Sequence, residues 1–150
     1  MKFIVSSHQL SKSLQSISGV LTNNAAVPII QNFLFSISGQ TLSISATDLE
    51  TTMTTSVMLS KSDADGVVVI QSKLLMDTIK SLPDIPIIFI IDLETNIVEI
   101  QANEGSYKLA CYNAEDFPMP KEIENPNVVE LPSMMVKTAI SKTMFATGND

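Results

Sequence analysis

The chain has 150 residues, 45% of them hydrophobic and 17% charged, enough to bury the core of one ordinary domain and part of another. Sixteen Asp and Glu against nine basic residues give a formal net charge of -7 and a pI near 4.5, whereas a module that grips nucleic acid through net charge has a pI above about 9. All nine basic residues are Lys, so bidentate guanidinium forks are excluded and any contact with a polyanion must be local.

In chain order, residues 1–5 form a short alternating apolar stretch with no basic segment and no long apolar core behind it, which argues against a signal peptide. Residues 8–18 then place Leu10, Leu14 and Ile17 at helical spacing. Alternation at period two follows in residues 34–38, 42–46, 52–59 and 67–70, the pattern of strands with one buried and one wet face. Leu75, Ile79 and Leu82 mark a second helix over residues 72–82, after which residues 87–91, 97–101 and 107–111 alternate again. Val136 and Ile140 mark a third helix over residues 133–145. Turn residues at 38–40, 63–66, 94–96 and 103–105 each read as the close of a hairpin. The longest apolar stretch, residues 85–91, is broken by Pro86 and is too short to span a bilayer.

Each helix opens beside a serine, Ser7, Ser72 or Ser133, whose hydroxyl is expected to accept a hydrogen bond from an orphan amide of the first turn. Aligned on these serines, apolar residues recur three and seven positions later: Leu10 and Leu14, Leu75 and Ile79, Val136 and Ile140. The serines lie 65 and 61 residues apart, so the sequence repeats a unit of one strand, one helix and three further strands. Two units fill a first domain, residues 1–124. Residues 125–150 read as a proline-punctuated connector and the truncated start of a second domain, too short to bury a core alone. The expected class is α+β, with antiparallel sheets and the helices on one face.

Charge is sorted by element. The three helices hold Lys12, Lys73, Lys80, Lys137 and Lys142 against one acid, Asp77, while the rest of the chain carries four Lys and fifteen acids. A weakly positive helical face and a negative strand surface would guide a polyanion without gripping it.

Reactive groups are few. His8, the sole histidine, stands at a helix start with no partner motif for a Ser-His-Asp or Cys-His device. Cys111 ends a strand pattern, where a small buried side chain is the ordinary reading, and a lone cysteine suits a reducing compartment, here the cytoplasm. Asp48 and Glu50 alternate onto one solvated side of an extended segment without metal-ligand spacing. The five glycines are scattered singly, so no phosphate loop is formed. No catalysis, metal or cofactor is expected. Two readings stay open: a polyanion-guiding protein, or a strand-rich interaction module whose lysines are only solvated helix surface.

Met1-Lys2-Phe3, the 10–19 helix and its exit, Pro28-Ile29-Ile30-Gln31-Asn32-Phe33-Leu34, Thr47-Asp48-Leu49-Glu50 and Asp116-Phe117-Pro118 follow an order and spacing that resembles the bacterial DNA polymerase III beta subunit, the sliding-clamp family. The resemblance covers essentially the whole chain. It implies the DNA-clamp fold and a non-catalytic processivity factor of DNA replication, in which a ring encircles duplex DNA and tethers the replicative polymerase. By resemblance, Lys73 matches a DNA-contacting basic position, Asn149 falls in the contacting loop after the third helix, and Asn24 stands where relatives often carry a basic residue. Lys12, Lys80 and Lys137 join them as expectations from charge sorting. Closure of a homodimeric ring is implied to use the strand edge at residues 106–111, with Tyr107 and Leu109, beside Leu74 and Leu75 of the neighbouring helix. The pocket for DNA polymerase III and clamp-loader peptides is implied to lie in domains beyond this chain.

Overall fold

The computed structural model of the chain describes residues 1–21, 27–103, 105–119 and 128–148. They fall into two compact units, Met1–Pro120 and Lys121–Asp150. The first contains β1 (Lys2–Ser6), α1 (Ser7–Ile17), β2 (Asn32–Ser38), β3 (Thr41–Thr47), β4 (Thr52–Met58), β5 (Lys61–Ser62), β6 (Gly66–Gln71), α2 (Ser72–Ser81), β7 (Pro86–Asp92), β8 (Ile97–Ala102) and β9 (Gly105–Tyr112). The second contains α3 (Ser133–Thr143), none of whose residues is buried.

The strands form one antiparallel sheet in the order β4, β3, β2, β6, β9, β8, β7, β1, β5. That order displays the repeat and shows that its halves exchange strands. The meander β2–β3–β4 of the first repeat is extended by β6 of the second repeat, with Leu34 opposite Val69. The meander β7–β8–β9 of the second is extended by β1 of the first, with Ile4 opposite Ile88. Neither repeat completes its sheet alone.

The two ends of the strand order are consecutive stretches of one segment. After β4 the chain crosses at Leu59 and Ser60 to β1, where the Ser60 N–H donates to the Ile4 carbonyl at 2.9 Å and β5 pairs with Phe3 and Ile4. β9 makes the equivalent bridge in the other half, pairing with β8 along its length and reaching β6 at Cys111 and Tyr112. The hairpin expected at residues 63–66 is therefore corrected. β5 pairs with β1 while β6 lies between β2 and β9, so the turn joins strands that are not neighbours. The turns at 38–40, 94–96 and 103–105 do join paired strands. Gly39 supplies the left-handed conformation its tight turn needs, with φ +56°.

Strand alternation sends Phe33, Phe35 and Ile37 of β2, Ile87, Phe89 and Ile91 of β7, and Val98 and Ile100 of β8 to the helix-bearing face. Leu10, Leu14 and Ile17 of α1 and Leu75 and Ile79 of α2 close the same core from above, and the two helices also touch each other. Phe3 and Phe89, opposite each other on β1 and β7, stack with centroids 4.7 Å apart and planes 7° apart. Burying such a side chain stabilises by about 1.5–3 kcal/mol, so this pair helps fix the register of the exchanged strand.

The opposite face carries a small second cluster of Leu34, Val69 and Phe117, with Ile29 and Ala114 packed on it. Here two of the sequence motifs meet. Asn32, nearly buried, donates its side-chain amide to the carbonyls of Pro28 and Ile29, both at 3.1 Å, and so pins the short 3-10 turn ahead of β2. Phe117 is buried against that segment. Asp48 and Glu50, expected in an extended stretch, lie in the tight β3–β4 turn instead. The Asp48 carboxylate accepts from the N–H groups of Glu50 and Thr51, at 3.0 and 2.6 Å. An Asx turn of this kind captures the backbone before a strand can continue.

The serines also need correction. Ser6, one position earlier, caps α1 by accepting from the Gln9 N–H at 3.3 Å. Ser7 is the first helical residue and is buried, with its hydroxyl donating to the Pro83 carbonyl at 2.7 Å. Ser72 likewise opens α2 from inside and donates to the Gln31 carbonyl, while Ser133 follows Pro132, which offers no cap. In the first unit the repeat serines thus bolt each helix start to the other half's meander.

Candidate nucleic-acid interface

α1 and α2 lie side by side on the same face of the sheet, so their outward residues form one surface. From α1 it presents His8, Gln9, Lys12, Gln15 and Ser16; from α2 it presents Lys73, Leu74, Asp77 and Lys80. No acidic residue occurs in α1, and none stands in the first turn of α1, α2 or α3. An acid there would gain about 0.3–1 kcal/mol from the helix dipole, and helix N-termini otherwise attract anions. Lys73 stands in the first turn of α2, where the dipole disfavours a cation, so helix stability does not account for it. Lys80, in the last turn, sits where the dipole favours it.

Most of the described acids lie in turns, and two, Asp92 and Glu99, end on the sheet face away from the helices. On β8, Val98 and Ile100 point into the core and Glu99 points away from it. Its carboxyl is held below the usual range first by the side-chain amide of Gln101, at 2.7 Å, and then by the hydroxyl of Ser106, at 2.9 Å. Asp92, the last residue of β7, is lowered first by the Thr95 hydroxyl and then by the N–H groups of Glu94 and Thr95. Both carboxylates stay charged well below neutral pH, and Lys108, opposite Glu99 on β9, sets a cation beside it.

Of the residues singled out from the sequence, Lys12, Lys73 and Lys80 are brought onto one surface. Lys137 is exposed on α3 in the second unit. Asn24 and Asn149 lie outside the described residues. Leu74 and Tyr107 are exposed, at 47% and 38%. Leu75 is fully buried under α2 and Leu109 points inward from β9, so both pack in the core instead of standing exposed as Leu74 and Tyr107 do. Along residues 106–110, β9 pairs only with β8, because its register with β6 is confined to Tyr112 and Cys111. That stretch leaves an open strand edge among the described residues.

Sequence reasoning passed over Ser11 and Gln15, which face a cleft between the helices with Lys80 and Asp84. Their spacing of four on α1 was the available signal. Among the described residues no cluster of three or more His, Cys, Asp or Glu could hold a metal, and no helix is long and apolar enough to cross a membrane. Cys111 is buried, and its thiol is pushed up first by burial and then by the charge of Asp92.

A family profile described as DNA polymerase III beta subunit, N-terminal domain, matches residues 1–121. The chain is 32% identical over 146 residues to the beta sliding clamp of Vibrio harveyi, covering 97% of this chain and all of that protein. It is 30% identical over 149 residues to the beta sliding clamp of Vibrio cholerae, covering 99% of this chain and 40% of that one. The crystal structure of the DNA polymerase III subunit beta from Pseudomonas aeruginosa superposes with a TM-score of 0.89 at 28% identity, over 100% of this chain and 40% of the other. A Helicobacter pylori beta clamp bound to a DNA ligase peptide superposes at 0.76 with 26% identity, over 83% of this chain and 34% of that one. The chain therefore spans about 40% of the length of the Vibrio cholerae and Pseudomonas aeruginosa proteins.

Proposed function

The chain belongs to the DNA polymerase III beta subunit family, and on that premise we propose that it supplies the first domain, and the start of the second, of a ring-forming sliding clamp that encircles duplex DNA. The observation that carries this reading is the joint α1–α2 surface, with three lysines, one acid and helix starts free of carboxylates, set against acids held chiefly in the turns. Such a surface attracts phosphates weakly and without reading sequence, and weak contact is what a sliding ring requires. Processivity then comes from topology: the ring cannot leave an unbroken duplex, so the tethered replicative polymerase stays on its template.

In this reading Lys12, Lys73 and Lys80 meet the backbone phosphates, and Lys137, Asn24 and Asn149 contribute from the second domain and the loops. The open edge of β9, with Tyr107 and with Leu74 of α2 beside it, joins the partner subunit of a homodimer. Residues 1–124 form the first domain and 125–150 open the second. Polymerase and clamp-loader peptides dock on domains beyond this chain, the protein works in the cytoplasm, and it performs no catalysis itself. Family membership favours this reading over an interaction module without a DNA role.

The test is to load the ring onto nicked circular duplex and then linearise the circle. Release on linearisation is expected; retention would sink the topological mechanism. Reversing charge at Lys12, Lys73 and Lys80 together is expected to shorten DNA-dependent synthesis per binding event, and unchanged synthesis would return the lysines to plain helix surface.

A further inference from the structure

Between α1 and α2, beside the junctions that start α1 and follow α2, a cleft of about 200 Å³ opens on the helical surface. Ile79 and Leu82 contribute its apolar lining. Its walls bring together Ser11 and Gln15 from α1, Lys80 from the last turn of α2, and Asp84 from the segment leading to β7. The Gln15 side-chain amide donates to the Ser11 hydroxyl oxygen at 3.0 Å. That bond uses a lone pair of Ser11 and one of the two amide protons of Gln15, so the Ser11 hydroxyl proton and the second Gln15 proton remain as donors. Ser7 lines the cleft too, but its hydroxyl is committed to Pro83 and Ile85. His8 lines it as well.

Resting on the DNA-facing reading above, we propose that this cleft is a slot for a single backbone phosphate of duplex DNA, with Lys80, Ser11 and Gln15 as donors, and that Asp84 on its wall keeps the slot weak. A lysine ammonium meets a phosphate as a point charge, and neutral donors beside it fix the oxygen without adding attraction over distance. The carboxylate of Asp84 repels the same phosphate and competes for Lys80, so the slot releases its ligand readily. Ser11 and Gln15 thereby orient a passing phosphate, and Asp84 sets how long it stays.

The test uses the isotope-labelled 150-residue chain, titrated at low salt with a short blunt duplex and separately with inorganic phosphate, and followed by amide NMR. Duplex is expected to shift the Gln15 side-chain amide and the Ser11 backbone amide together with Lys73. Lys80→Met is expected to abolish the Ser11 and Gln15 shifts while sparing those at Lys73. Asp84→Asn, with core-strand amides unmoved as the check on folding, is expected to tighten binding about threefold. Shifts at Lys12 and Lys73 with Ser11 and Gln15 unmoved, or an Asp84→Asn chain that binds as the parent does, would overturn the slot and leave the proposed function standing. No shift anywhere on α1 or α2 would overturn both. Equal shifts with inorganic phosphate at the same concentrations would make it a free-anion site and overturn its assignment to duplex DNA.

Discussion

Ser7 and Ile85 hold each other by reciprocal hydrogen bonds: the Ser7 N–H donates to the Ile85 carbonyl, and the Ile85 N–H donates to the Ser7 hydroxyl oxygen, each at 3.0 Å. With the further bond from that hydroxyl to Pro83, they tie the start of α1 to the segment that enters β7 of the other repeat. Replacing Ser7 by Ala leaves the Ile85 N–H and the Pro83 carbonyl without this partner in a partly buried place, at a cost of about 1–3 kcal/mol. Ser72→Ala, which strips the Gln31 carbonyl of a donor, is expected to act in the same direction. Urea unfolding reads both; a Ser7→Ala midpoint equal to that of the parent would show that the junction carries no stability.

Leu49, at the tip of the β3–β4 turn, has φ +82° and is 54% exposed. A side chain in left-handed backbone costs roughly 1–2 kcal/mol, partly offset in a glycine variant by the entropy that glycine loses on folding. Leu49→Gly removes the strain and little packing, so the expected outcome is a gain of roughly 0.5–1 kcal/mol in thermal or urea unfolding. Destabilisation beyond the error of the measurement would mean that the exposed leucine packs on something.

The acid limb of stability follows from the two depressed carboxyls. A folded-state pKa below the unfolded value stabilises at pH above that unfolded value, about 3.9 for Asp, and the contribution is lost as pH falls through the lower folded value. Asp92 is lowered chiefly by the Thr95 hydroxyl, and Glu99 chiefly by the Gln101 amide. Asp92→Asn is expected to unfold with a shallower dependence on pH below about 4 than the parent. Parallel curves for the two proteins over that interval would remove Asp92 from the acid response.

Cys111, with 1% of its surface exposed and its thiol pushed up by burial, is expected to resist an aromatic disulfide reagent at neutral pH and to react once urea opens the sheet. Its labelling rate should rise in step with the unfolding transition. Fast labelling of the folded chain would place the thiol at an accessible surface.

The repeat, the order of strands and helices, and the sorting of lysines onto helices were all readable in the chain, because period and composition are local properties. The core stripes of α1 and α2 came from the same source. Residue spacing alone did not tell which strands become neighbours. β1 pairs with β7 and β6 with β2 because each meander buries its apolar face best when the other repeat's first strand completes it. From that exchange follow the buried roles of Ser7 and Ser72, the confinement of Leu75 and Leu109 to the core, and the failure of the 63–66 turn to close a hairpin. The meeting of Ser11 and Gln15 with Lys80 and Asp84 likewise awaited the packing of α1 on α2, since such a contact depends on how helices dock on a shared core and no periodic pattern encodes it.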